Sequence, residues 1–216
     1  MPTALTASGS TRPSRRLGIL ISGRGSNMQA IVEAVASGAL EATVALVLSN
    51  RADAAGLAYA REAGIETQVL DHRGWPSRAA YDVAVADALE AHRVDLVCLA
   101  GFMRLLGPAL LDRFPRRVLN VHPSLLPAFP GLDAQRQAFE YGVKVAGATV
   151  HLVTEALDAG PIVAQAAVPV HDDDTADTLA ARILTEEHRL YPRAIAQVLS
   201  GDWHLEGRRV VSGHDG

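Results

Sequence analysis

Near-continuous apolar runs, separated by helical patterns, fill the first half of the chain and constrain its fold more than any other feature. Leu17-Gly18-Ile19-Leu20-Ile21-Ser22 is the first run; Thr43 to Ser49, Glu66 to Leu70 and Asp95 to Ala100 follow. The last is apolar at almost every position, as a strand covered on both faces must be. Met28, Ile31, Val32 and Val35 recur at helical spacing before Ser37-Gly38. A second helix over Ala54 to Ala63 stops at Gly64, a C-terminal signal. Ser77 is placed to cap a third over Arg78 to His92, with Tyr81, Val85, Ala88 and Leu89 on one apolar face. This β-α-β-α-β-α-β order predicts an α/β protein with a doubly wound, mostly parallel sheet. Its sites should lie outside the carboxyl ends of the strands.

The rhythm then changes. A short helix over Pro108 to Phe114 leads to Arg117–Pro127, an alternating apolar run that ends in a Pro-punctuated loop. Val143 to Thr154 and Ile162 to Val170 are β-rich and predict antiparallel additions to the sheet. The Glu155–Pro161 loop between them is long for a tight hairpin and presents one carboxylate, Asp158. Asp172-Asp173-Asp174-Thr175 is an acidic helix start. The helix runs to about Leu199, with Leu179, Ile183, Leu190, Ile195 and Val198 on its core stripe. Trp203 to Val211 reads as a hairpin turning at Glu206-Gly207. No repeat or linker divides the chain, so residues 17–216 form one expected domain.

Composition narrows the classes. Of 216 residues 49% are hydrophobic, yet no apolar run approaches the span a membrane helix needs, about 18 residues. A net charge of -4 gives no general basic field for nucleic acid. The single cysteine, Cys98, lies in an apolar run and can form no disulfide within the chain. Eight dispersed histidines, without a Cys pair or a His-Glu-x-x-His spacing, predict no metal site. Residues 1–16 are rich in Ser, Thr, Ala and Pro and read as a disordered leader, not a signal peptide, which fits a cytoplasmic protein.

Three loops qualify for the strand ends: Gly23 to Asn27, Gly101 to Leu106 and Asn120 to Pro127. The first follows a strand and opens a helix, so its backbone N–H groups and the helix N-terminus suit an anion. Met28 stands where a dinucleotide fingerprint needs a third glycine, and no Gly-Lys-Ser/Thr follows, which leaves a single phosphate as the ligand. The same loop also fits a tight turn capped by Ser26 or Asn27. Asn120 and His122 sit two apart on a strand and so share a face. An amide donor beside an imidazole can serve an oxygen that gains charge, and a carboxylate such as Asp158 favours the charged imidazole. Ser22 and Ser124 lack the setting of an activated nucleophile. The set predicts direct acyl transfer to or from an amine.

From about Leu17 to Gly201 the chain resembles the phosphoribosylglycinamide formyltransferases. The resemblance rests on Ile21-Ser22-Gly23-Arg24-Gly25-Ser26-Asn27, Leu99-Ala100-Gly101-Phe102-Met103-Arg104 and Asn120–Pro127, then Gly147–His151, Leu157–Ile162 and Glu186-Glu187-His188. It implies a Rossmann-like formyltransferase fold, with a phosphate-binding half to about residue 120 and a folate-binding half beyond. It also implies formyl transfer from 10-formyltetrahydrofolate, as co-substrate, to the amino group of 5'-phosphoribosylglycinamide in purine synthesis. By this resemblance Gly25, Ser26 and Asn27 hold the phosphate and Glu187 contacts the glycinamide ribotide. Met103, Arg104, Leu105, Leu106, Thr154, Glu155, Ala156, Leu157 and Asp158, with Asn120, line the pterin pocket, and Arg78 lies nearer the folate tail. Asn120, His122 and Asp158 carry the catalysis. The resemblance also suggests a homodimer.

Without it, Met103, Leu105 and Leu106 read as core, Glu187 and Arg78 as solvated helix faces, and His151 as a structural histidine. Asp133 and Gln135 stand where relatives commonly carry histidine, and Leu184 where a polar residue often lies near the phosphate. Methionyl-tRNA formyltransferase and formyltetrahydrofolate deformylase share the Asn-x-His and Asp set. They differ by a further C-terminal domain and by an N-terminal regulatory domain without the Gly-Ser-Asn loop. A catalytically silent phosphate- or folate-binding module is the alternative outside the enzymes.

Overall fold

A computed structural model describes residues 15–213. Five strands form its parallel half: β1 (Arg16–Ile21), β2 (Thr43–Ser49), β3 (Thr67–Val69), β4 (Leu96–Leu99) and β5 (Val118–His122). They lie in the order β3-β2-β1-β4-β5. The helices between them are α1 (Ser26–Ala36), α2 (Gly56–Glu62), α3 (Arg78–Ala91) and the short α4 (Pro108–Leu111). Side chains alternate across a strand, so β1 feeds two cores. Leu17, Ile19 and Ile21 pack with Met28, Ile31 and Leu57 on one side of the sheet. Leu20 packs with Tyr81, Val85 and Leu89 of α3 on the other. Gly18 permits the close approach of α3, because a Cβ there would lie 2.5 Å from a Leu89 methyl.

The chain steps outward from β1 to β3 and then returns to lay β4 on the other side of β1. That reversal opens a crevice beyond the carboxyl ends of β1 and β4. The second half contributes α5 (Ala134–Tyr141), β6 (Val145–Leu152), β7 (Ile162–Pro169), α6 (Ala176–Ser200), β8 (Trp203–Glu206) and β9 (Arg209–Ser212). β6 pairs antiparallel with β5 and with β7, and β9 joins β7 in parallel through Ile162 and Arg209 while forming a hairpin with β8. The sheet is therefore doubly wound and mostly parallel with antiparallel additions, as its sequence pattern requires.

α6 has strong start and stop signals. Thr175 and Thr178 form a capping box, and Gly201, at φ 74°, ends the helix. Its buried stripe includes Leu179, Ile183, Leu190, Ile195 and Val198, and the Tyr191 hydroxyl sits 3.0 Å from the carbonyl oxygens of both Leu99 and Leu119. The helix is thereby fixed to β4 and β5.

Some boundaries move. Of the expected leader, residues 1–14 lie outside the described residues. Arg16 belongs to β1, its N–H donating to the Asp95 carboxylate at 2.8 Å. The helix expected to reach Phe114 ends at Leu111. α5 has no counterpart among the expected elements; its buried stripe is only Ala134 and Ala138 of eight residues. No helix among the described residues is long and apolar enough to cross a membrane.

Candidate active site

The loops after β1, β2 and β4 are tied together at the crevice. The Ser22 hydroxyl donates to Asn50 Oδ1 at 2.6 Å and accepts from the Met103 N–H at 2.8 Å, while the Ser22 N–H donates to the Gly101 carbonyl at 3.1 Å. The Gly23–Asn27 and Gly101–Leu106 loops are thus neighbours. Gly25 adopts φ 71°, and a Cβ on it would press to 3.2 Å on the Gly56 backbone. Glycine satisfies both demands. α1 starts at Ser26 with no side-chain cap, so neither Ser26 nor Asn27 closes its N-terminus. The first-turn N–H groups are left for other acceptors.

Asn27 turns its amide to α6 instead. Its Nδ2 donates to Glu187 Oε2 at 2.6 Å, and its Oδ1 is buried without a hydrogen-bond partner among the described residues. Glu187 is 5% exposed, so it is not part of a solvated helix face. Burial pushes its carboxyl above the ordinary value, and the Asn27 amide opposes this in part.

The second cluster grows from β5. Asn120 and His122 leave one face of that strand, opposite His151 and Thr149 of β6 in the antiparallel register. Asp158, in the loop beyond β6 at φ 46°, points back to them. Its Oδ2 lies 3.4 Å from His122 Nδ1 and accepts the Gly131 N–H at 2.8 Å. Asp158 therefore reaches His122 directly. Burial pushes the Asp158 carboxyl up, but hydrogen bonding and positive charge around it, the Gly131 N–H and the His122 ring among them, outweigh burial and hold the group below the ordinary carboxylate value. His122 Nε2 donates to the Phe129 carbonyl at 2.9 Å, so both ring nitrogens face oxygens. Asn120 Nδ2 donates to His151 Nε2 at 3.2 Å.

The remaining expected residues differ in exposure. Met103 is 66% and Leu105 49% exposed, which removes core packing as their explanation. Of Met103, Leu105 and Leu106, only Leu106, at 4% exposed, is a core side chain, in one cluster with Leu110 and Phe114. The Arg104 guanidinium stacks 5.0 Å above the Tyr81 ring. Arg78 opens α3 beside Gly107, whose N–H donates to the buried Asp82 carboxylate at 2.8 Å. Thr154, Glu155, Ala156 and Leu157 are exposed in the loop that carries Asp158. Ser124 donates its hydroxyl to the Ala128 carbonyl at 2.6 Å, and Ser22 is spent on Asn50, so neither is poised as a nucleophile. A separate cavity of about 690 Å³ lies between α1 and α6, lined by Glu33, His188 and Arg193, and meets the phosphate loop only at Ser26.

His151, expected as a structural histidine, is 2% exposed and hydrogen-bonded, and it stands between Asn120 and Asp158. A signal existed: Thr149 and His151 are polar residues two apart in an otherwise apolar strand, the same pattern as Asn120 and His122.

Comparison with known proteins is consistent with this arrangement. The formyl transferase family model matches residues 15–195. Phosphoribosylglycinamide formyltransferase of Escherichia coli is 46% identical over 190 residues, covering 88% of this chain and 87% of that protein. The trifunctional purine biosynthetic protein adenosine-3 of Drosophila pseudoobscura is also 46% identical across 88% of this chain, which spans only 14% of its length. The crystal structure of glycinamide ribonucleotide transformylase 1 from Symbiobacterium toebii superposes with a TM-score of 0.91 at 54% identity, covering 95% of this chain and 99% of that one. Agreement in sequence and fold over nearly the whole described length means that the chain belongs to the formyl transferase family.

Proposed function

We propose that this enzyme transfers the formyl group of 10-formyltetrahydrofolate to the amino group of 5'-phosphoribosylglycinamide, releasing formylglycinamide ribotide and tetrahydrofolate in purine biosynthesis. One observation carries the reading: Asn120, His122 and Asp158 meet at the carboxyl end of β5, on the same side of the β1-β4-β5 sheet end as the uncapped α1 start joined to Glu187. The relative in Escherichia coli, which bears the name of this activity, aligns across both clusters.

The α1 start takes the phosphate: the N–H groups at Gly25, Ser26 and Asn27 donate to its oxygens, and the helix end adds partial positive charge. Glu187 and the unpartnered Asn27 Oδ1 supply acceptors for hydroxyl or amide hydrogens of the ribotide. Exposed Met103 and Leu105, with Arg104, Leu106 and the Thr154–Leu157 loop, form the pterin pocket, and Arg78 faces the folate tail. The neutral amine attacks the formyl carbon, forming the new C–N bond and moving the carbonyl pair onto oxygen. Asn120 Nδ2–H and the His122 imidazolium stabilise that oxyanion. Collapse breaks the bond from carbon to N10 of the folate, and the proton lost by the attacking amine reaches N10 through His122. Asp158 orients the His122 ring and offsets the positive charge that forms on it during proton transfer. His122 Nε2 becomes available when the Phe129 carbonyl withdraws, and Phe129 sits at a strained φ of 52°. The reaction is metal-free in this scheme.

The test offers 10-formyltetrahydrofolate with three acceptors in turn: phosphoribosylglycinamide, water and methionyl-tRNA. Formylglycinamide ribotide is the expected product, at a rate unaffected by EDTA. Faster loss of formyl to water or to tRNA overturns the reading. His122→Ala and Asp158→Asn each lower kcat by about 10²-fold or more, while binding of both substrates is retained. Near-normal turnover in either variant removes that residue from the scheme.

A further inference from the structure

His151 is a buried, titratable side chain that takes no part in the chemistry above. Its side chain is 3% exposed, and it faces Asn120 directly across the β5–β6 pairing. Nδ1 lies 3.1 Å from the Leu152 carbonyl oxygen, while Nε2 lies 3.2 Å from Asn120 Nδ2 and 3.7 Å from Asp158 Oδ1. A carbonyl oxygen only accepts, so Nδ1 carries the proton. In the neutral ring Nε2 is then a bare acceptor. Its separation from Asp158 is too long for a hydrogen bond, so Asn120 is its partner. An acceptor at that point requires the Asn120 amide to present Nδ2 rather than Oδ1. A flipped amide would set two acceptors against each other and would offer an oxygen where the oxyanion needs a donor.

We propose that His151 is a positioning residue whose Nδ1–H tautomer, fixed by the Leu152 carbonyl, locks the Asn120 amide with its nitrogen toward the reaction. One Nδ2 hydrogen satisfies His151, and the other remains for the oxyanion. This rests on the reading of Asn120 as an oxyanion donor, and the experiment separates the two.

Two amide replacements divide the ring's functions. In His151→Asn the side chain can still donate to Leu152 but no longer reaches Asn120 with an acceptor. In His151→Gln an oxygen replaces Nε2 and accepts from Asn120. Steady-state kcat and KM for both substrates are measured for these variants, for Asn120→Ala and for the double variant Asn120→Ala with His151→Asn, with folding checked by circular dichroism. Asn120→Ala lowers kcat about 10²- to 10³-fold, the scale of a lost oxyanion donor. His151→Asn lowers kcat about tenfold or more, as loss of an orienting partner does, with both KM values within about twofold. His151→Gln recovers most of that loss, and the double variant is no slower than Asn120→Ala alone.

Equal rates for the Gln and Asn replacements overturn the proposal, as does a His151→Asn effect that multiplies fully onto Asn120→Ala. Either result leaves Asn120 as the donor. Normal turnover in Asn120→Ala instead removes the oxyanion reading, and the positioning role falls with it.

Discussion

Glu187 forms no ion pair among the described residues, although it is 5% exposed; Asn27 Nδ2 is its hydrogen-bond donor. Its folded pKa is raised chiefly by burial. A raised carboxyl contributes most stability below its unfolded value, and that contribution is lost as pH rises through the folded value. Glu187→Gln should therefore raise Tm at pH 8, leave it nearly unchanged at pH 4, and weaken phosphoribosylglycinamide binding. Melting curves at the two pH values, with KM for that substrate, check this. An equal shift at both pH values would mean that the charge is not what costs stability. The side chains of the proposed site differ in how far the sequence reveals them. Asn120, His122 and Asp158 are legible because polar, titratable types stand at the end of an apolar run or alone in a loop. His151 is not, because its meaning depends on facing Asn120, and a cross-strand register is absent from one linear pattern. Met103 and Leu105 read as core for a related reason, yet they are exposed and Leu106 beside them is buried: adjacent loop residues turn to opposite sides, and only the fold says which.

Elements with strong local signals are the ones that sequence places well. The strands of the parallel half and α6, with its threonine capping box and closing glycine, fall within a few residues of expectation. α5 escapes because it is short and polar, with only the small Ala134 and Ala138 on its buried side, and because Asp133, at φ 55°, opens it without a side-chain cap. The loop between β6 and β7 is legible as long, but not as tight. Gly160 has ordinary φ, yet a Cβ on it would fall 1.6 Å from the Leu152 carbonyl oxygen, where the Leu152 N–H also meets Pro161 at 2.9 Å. The same loop carries Asp158 two residues earlier. Gly160→Ala must displace it, so stability should drop by about 1–3 kcal/mol, as overpacking does, and turnover should fall by a larger factor than substrate binding. Urea unfolding and steady-state kinetics measure the two effects. A midpoint and kcat equal to those of the parent would show that the loop yields without moving Asp158.

At the scale of the molecule, the crevice exists because the strand order reverses between β1 and β4. Alternating runs announce the class of sheet but not that reversal, which is why the sequence names three candidate loops without proving that they meet. The Ser22 contacts join the first two loops, and Asp158 joins β5 to the loop beyond β6. The two clusters also respond to pH in opposite senses. Glu187 is raised and favours the acid side, whereas Asp158 is lowered: burial opposes its ionisation, but the hydrogen bonding and positive charge around it, including the Gly131 N–H and His122, outweigh burial. A lowered carboxyl contributes stability that is present above its unfolded value and lost as pH falls through the folded one. Asp158→Asn should therefore destabilise the enzyme most near neutrality, and the gap from the parent should narrow as pH falls below the ordinary carboxylate value, about 4. Unfolding free energies measured from pH 7 down to pH 3 follow that gap. A constant gap across the range would mean that Asp158 does not ionise with the fold's help, and its proposed hold on His122 would have to be steric.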